Sequence, residues 1–152
     1  MTLTLWIEYI ATAPAHIGSL SNIEMTCDVD IIYDGRTITI PVIVDSGCQE
    51  NLILELVDIQ TLNLISLSTR EAVMPDHSRA TVEVYPDVMI RIGLMDGSYV
   101  EASVTPTYLA PVITEEVGVI CLERLLGYPA LEKLNLKLDF KGKMLTRRIR
   151  RI

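Results

Sequence analysis

The residues of this chain with the clearest chemical potential are Asp45, Ser46 and Gly47, which follow directly on the apolar run Ile40-Pro41-Val42-Ile43-Val44. A carboxylate can take or give a proton, and an acid at the end of a buried strand is costly to desolvate unless it has partners or a task. Asp, Ser and Gly are also ordinary turn residues. Taken alone, the tripeptide favours a strand ending in a loop, with Asp45 capping its own backbone. The hydroxyl of Ser46 and the thiol of Cys48 are poor candidates for a nucleophile, since there is no G-x-S-x-G elbow and the chain has only two histidines, His16 and His77. Two histidines so far apart make no metal site by spacing, and neither a metal nor another cofactor is expected.

The elements that must position Asp45 are mostly strands. Leu3, Leu5, Ile7 and Tyr9 alternate with Thr2, Thr4, Trp6 and Glu8, the two-residue period of a strand. Residues 11–22, rich in Ala, Pro, Gly and Ser, form a connector. From Glu24 an apolar run through Ile31, Ile32 and Tyr33 meets the turn pair Asp34-Gly35, and a β-branched return strand from Thr37 to Val44 leads straight into Asp45. Between Leu52 and Leu64 the apolar spacing suits a short helix better than a strand. Two further hairpins are expected, one turning at Pro75-Asp76-His77-Ser78 between strands at 66–74 and 79–94, the other at Asp96-Gly97. After Leu126-Gly127, Pro129 suits a first helical turn, and Ala130, Leu131 and Leu134 sit at helical spacing. A last small hairpin turns at Lys141-Gly142.

The stretch Val44-Asp45-Ser46-Gly47-Cys48-Gln49-Glu50-Asn51-Leu52-Ile53 resembles the active-site loop of retropepsin-like aspartic proteases: an apolar pair, Asp-Thr/Ser-Gly, a small residue, polar residues, then apolar ones. A second signature of that family, an apolar-apolar-Gly turn followed by a short helix and a last strand, is similar to Leu125-Leu126-Gly127 with Leu131, Leu134, Leu136 and Leu138-Asp139-Phe140. The two occur in the family's order, and the resemblance, to the single-domain archaeal and bacterial type of clan AA, covers about residues 24–145. It implies a mostly β, retropepsin-like closed β-barrel with one short helix after Gly127, acting as a homodimer. It also implies an aspartic endopeptidase in which Asp45 is the catalytic carboxylate and a second copy supplies the other. Two adjacent carboxylates sharing one proton provide both a general base for water and a general acid for the leaving amine. Ser46 would orient the paired loops by a hydroxyl hydrogen bond, Gly47 would permit close backbone approach, and Leu125, Leu126 and Gly127 would support the loop. Met74, Pro75, Asp76, His77 and Ser78 fall where the family places its flap over a peptide or protein substrate.

Three features depart from the family pattern. Cys48 stands where alanine is usual, the 75–78 turn is less glycine-rich than many flaps, and residues 1–22 have no counterpart. The chain therefore divides into an N-terminal strand and extension (1–22), a retropepsin-like domain (23–146) and a basic tail (147–152) carrying Arg147, Arg148, Arg150 and Arg151. A module that keeps this fold for dimerisation or peptide binding without proteolysis shares every motif quoted. A β-barrel ligand binder with a structural Asp45 is the remaining alternative.

Bulk composition limits the other classes. At 152 residues with 49% hydrophobic, the chain suits one folded domain, and a formal net charge of -7 argues against general binding of nucleic acid, which needs clustered Lys and Arg. The arginines of the tail are expected as a solvated end or paired with acidic residues. Three cysteines, Cys27, Cys48 and Cys121, fit neither a disulfide framework nor a zinc ribbon. With no apolar stretch approaching the roughly 20 residues that cross a bilayer, a cytoplasmic protein without membrane contact is expected.

Overall fold

The computed structural model describes residues 2–8, 10–12, 24–73, 79–110, 112–114, 118–120, 123–139 and 144–150. Strands β1 (Thr2–Glu8) and β2 (Ile10–Thr12) precede the long hairpin of β3 (Glu24–Tyr33) and β4 (Arg36–Asp45). Next come β5 (Leu52–Ile53), α1 (Leu56–Leu62), β6 (Ser68–Val73), β7 (Arg79–Val84), β8 (Val88–Gly93), β9 (Tyr99–Val104) and β10 (Pro106–Leu109). A two-stranded ribbon of β11 (Val112–Thr114) and β12 (Gly118–Ile120) leads to β13 (Leu125–Gly127), α2 (Tyr128–Lys133), β14 (Leu136–Asp139) and β15 (Met144–Arg150).

The main sheet runs β6-β7-β10-β5-β13-β4-β3-β8-β9, with β2 adding to β3. The hairpin of β3 and β4 turns at Asp34 and Gly35, whose φ values of 49° and 76° lie in the left-handed region that Asp-Gly turns favour. Along β4, Ile40, Val42 and Val44 are buried while Thr39, Pro41 and Asp45 are exposed, a clean two-residue alternation. The buried side joins Val29, Ile31, Leu52, Ile90, Val104, Leu126 and Leu145 in one core. Pro41 is tolerated within β4 because the amide of Ile43, two residues on, bonds the carbonyl of Arg124, just ahead of β13. An amide at 41 would point the same way, before β13 begins.

Several expectations change here. The sheet is open, not a closed barrel: β6 and β9 each pair on one side only among the described residues. After β9 the chain leaves the β8–β9 ribbon and β10 pairs with β7 and β5, so the two ends of the sheet share no strand. Among the described residues there are two helices: α1, within the stretch 52–64 whose spacing suits a helix, stands beside the one short helix that the resemblance implies. At the N-cap of α1 the amide of Glu55 donates to Asp58 Oδ2 at 3.0 Å, and Asn63 closes the helix with φ 56°. The stretch 79–94 is two strands, β7 and β8, interrupted where Pro86 removes an amide. The helix expected after Gly127 is α2, with Pro129 in its first turn.

Strands β1, β15 and β14 form a separate three-stranded sheet in which β15 is central. Its register sets Leu3 opposite Ile149, Leu5 opposite Arg147 and Ile7 opposite Leu145. Arg147, Arg148 and Arg150 thus belong to a strand. No helix among the described residues is long and apolar enough to cross a membrane.

Candidate active site

Three elements meet at Asp45. The chain leaves β4 at Asp45, crosses a loop, and returns as β5, but β4 and β5 do not pair with each other. Strand β13 lies between them, parallel to β4 with Leu126 opposite Val44 and Gly127 opposite Asp45, and antiparallel to β5 with Leu126 opposite Leu52. The loop therefore crosses over the end of a strand that arrives from about eighty residues later, and its shape is set by that strand.

The contact is tight. A Cβ on Gly127 would stand 1.7 Å from the backbone oxygen of Glu50 and 2.8 Å from that of Cys48. The amide of Gly127 donates to Asn51 O at 3.0 Å and that of Tyr128 to Cys48 O at 2.9 Å. Leu126 is fully buried beneath this junction and Leu125 half-buried beside it. Glycine is required at 127 by this close approach, since its backbone is ordinary extended chain.

The loop itself begins with an Asx-type turn. The amide of Gly47 donates to Asp45 Oδ1 at 2.9 Å, and the amide of Cys48 to the carbonyl of Asp45 at 3.1 Å. Asp45, Ser46 and Gly47 are all exposed. Asp45 ends an apolar strand but falls on its solvent side by alternation, so the desolvation cost anticipated for a buried acid does not arise. Ser46 lines a cavity of about 210 Å³ with Tyr128, Leu131, Leu136, Lys137 and Leu138.

Three residues that sequence reasoning did not single out complete the surroundings. Glu50 pairs with Arg70 of β6 and lies within 3.5 Å of the hydroxyl of Thr107, which links the loop to the base of the β6–β7 hairpin. Arg124, just ahead of β13, makes a two-pronged contact with Asp58 of α1, each N to O distance being 2.8 Å, and reaches Glu55 at 3.5 Å. Asp58 is 3% exposed. This carboxylate holds the guanidinium even more firmly protonated than usual. A charged residue immediately before an apolar-apolar-Gly run was the available signal for Arg124; its partner could not be guessed from spacing. The Cys48 thiol, half-buried, is pushed above its ordinary pKa by burial, aided by the neighbouring Asp45 and Glu50 carboxylates and opposed by a backbone hydrogen bond.

The hairpin of β6 and β7 is antiparallel with Val73 opposite Arg79. Its turn, with Met74, Pro75, Asp76, His77 and Ser78, lies outside the described residues, as do His16 and Cys121. Among the described residues no group of three or more His, Cys, Asp or Glu side chains is arranged to hold a metal ion.

No family model matches the chain, and no curated protein matches it. Among solved structures, it is similar to the crystal structure of a retropepsin-like aspartic protease from Rickettsia conorii, with 16% identity and a TM-score of 0.47 over 99% of this chain and 97% of that one.

Proposed function

We propose that the chain is an aspartic endopeptidase whose active site is assembled from two copies, with Asp45 of each as a catalytic carboxylate. The observation that carries this reading is the solvent-facing carboxylate of Asp45 on a loop pinned from beneath by Gly127. Hydrolysis of a peptide without metal or covalent intermediate needs a base and an acid at the same bond, and one carboxylate supplies only one of these at a time. A twofold contact between loops sets a second Asp45 beside the first, where two like charges share one proton. The ionised carboxylate then takes a proton from water as its oxygen bonds to the peptide carbonyl carbon. The protonated one gives its proton to the nitrogen, and the C–N bond breaks.

Ser46 and Gly47 follow from the same arrangement. The exposed Ser46 hydroxyl is available for a hydrogen bond to the opposite loop. Gly47 fixes Asp45 Oδ1 through its amide and presents no side chain where the two loops approach. The β6–β7 hairpin, with residues 74–78 as the flap the resemblance implies, would close over the peptide substrate and exclude water.

Sedimentation at micromolar concentration, together with peptide cleavage across an acid-to-neutral pH series, tests this. The expected result is a dimer whose cleavage falls at least about 100-fold in Asp45→Asn, with an unchanged Tm because the side chain is exposed. A monomer that still cleaves, or an active Asp45→Asn dimer, would sink the proposal. A dimer that cleaves nothing under any condition favours the non-catalytic dimerisation or peptide-binding module.

A further inference from the structure

We propose that Arg124 is a positioning residue for the Asp45 site, acting through Asp58 to hold β13 in the one register that presses Gly127 against the 45–51 loop. The inference rests on the reading of Asp45 as the catalytic carboxylate, but its structural core stands apart from it. Strand β13 has only three residues, too few for ladder hydrogen bonds alone to fix it between a parallel and an antiparallel neighbour. A slip of one residue would turn Leu126 out of the core and replace Gly127 at the loop by a residue bearing a Cβ. Something must lock it at the end away from the loop.

Arg124 is at that end and joins three elements. Its carbonyl accepts the amide of Ile43 at 2.9 Å, two residues before Asp45 in β4. Its guanidinium grips Asp58, whose Oδ2 also accepts the amide of Glu55 at the start of α1. A planar fork against a carboxylate fixes direction as well as distance, which a single ammonium does not. Helix α1 follows β5 after two residues, Leu54 and Glu55, so clamping β13 to α1 also fixes β13 relative to β5. With Asp58 buried, water has little access to its carboxylate, and the second acid near the guanidinium, Glu55 at 3.5 Å, stands at the same helix start. The pair is thus placed to transmit position, not proton chemistry, to Asp45.

Hydrogen exchange and kinetics on Arg124→Lys and Arg124→Met, in the full chain, test the proposal. In Arg124→Lys, exchange of the amides of Ile43, Gly127 and Tyr128 is expected to speed up by 10-fold or more, while the amides of β8 and β9 keep the protection of the parent. Peptide cleavage should lose kcat by a similar factor with KM within twofold, because the chemistry is misplaced and the binding cleft is not. Arg124→Met should exceed Arg124→Lys in both respects. Equal acceleration at the junction and in β8 and β9 would mean that the pair contributes only global stability, and no acceleration at the junction would mean that β13 holds its register without it; either overturns the proposal. If the parent cleaves no peptide, the exchange measurement still decides, so failure of the protease reading and failure of the clamp are distinguishable.

Discussion

Replacing Gly127 by alanine tests the contact on which the whole site depends. The backbone at 127 has φ −93° and ψ 175°, extended geometry open to any residue, so alanine introduces no conformational strain. The effect is steric. The new Cβ would sit 1.7 Å from the carbonyl oxygen of Glu50, against a floor of 3.0 Å for real contacts, so the loop and β13 must part by 1.3 Å. The atoms it meets are backbone and cannot swing aside. A movement of that size stretches the bonds from Gly127 to Asn51 and from Tyr128 to Cys48, now 3.0 Å and 2.9 Å, past useful length. Two lost hydrogen bonds at about 1 kcal/mol each, with overpacking of about 2 kcal/mol, bring the cost to about 4 kcal/mol. For a chain of this size that lowers Tm by roughly 8 to 16 °C in calorimetry or thermal circular dichroism. Gly93→Ala is the control, since a Cβ there meets nothing within 4 Å. A Gly127→Ala protein melting within about 2 °C of the parent would refute the close approach, and with it the account of how the Asp45 loop is shaped.

Other outcomes follow from the same structure. Burial, reinforced by Asp28, pushes the Cys27 thiol from 9.0 up to about 12. The folded chain therefore keeps a proton that the unfolded chain releases, so stability should fall as pH rises from about 9 to about 12, by about 1.4 kcal/mol per unit. Tyr85, raised chiefly by burial and then by Glu83, adds its own fall above its ordinary value of 10.0. Denaturant titrations in that range should show a shallower slope for Cys27→Ala than for the parent, and equal slopes would contradict a buried neutral thiol. By contrast, Arg79→Ala should change stability by less than about 0.5 kcal/mol, because its partner Glu71 is 3.0 Å away with both side chains largely exposed. A loss of several kcal/mol in urea unfolding would show that this surface pair does more than the fold implies.

Along the chain itself, local chemistry was legible wherever one segment decides its own shape. The Asp34-Gly35 turn, the β-branched strand leading into Asp45 and the proline-initiated α2 need only backbone sterics and side-chain type, and each could be read before any neighbour was known. The pairing of two motifs, Asp45-Ser46-Gly47 and Leu125-Leu126-Gly127, was visible as order and spacing. Their relation in space was not. Whether Asp45 faced core or solvent depended on which side of β4 is packed, and the run Ile40 to Val44 hides that alternation because the residues on its outer side are apolar too. The insertion of β13 between β4 and β5, the open edges at β6 and β9, and the grip of Arg124 on Asp58 join residues dozens of positions apart. Such contacts are settled by how the strands are ordered within the sheet, since period and propensity carry no record of which strand lies next to which. The sequence alone thus determined many of the elements and the residue types at Asp45; the tertiary structure decided that Gly127 shapes the loop and that the carboxylate faces outward, because both are consequences of close packing between distant segments.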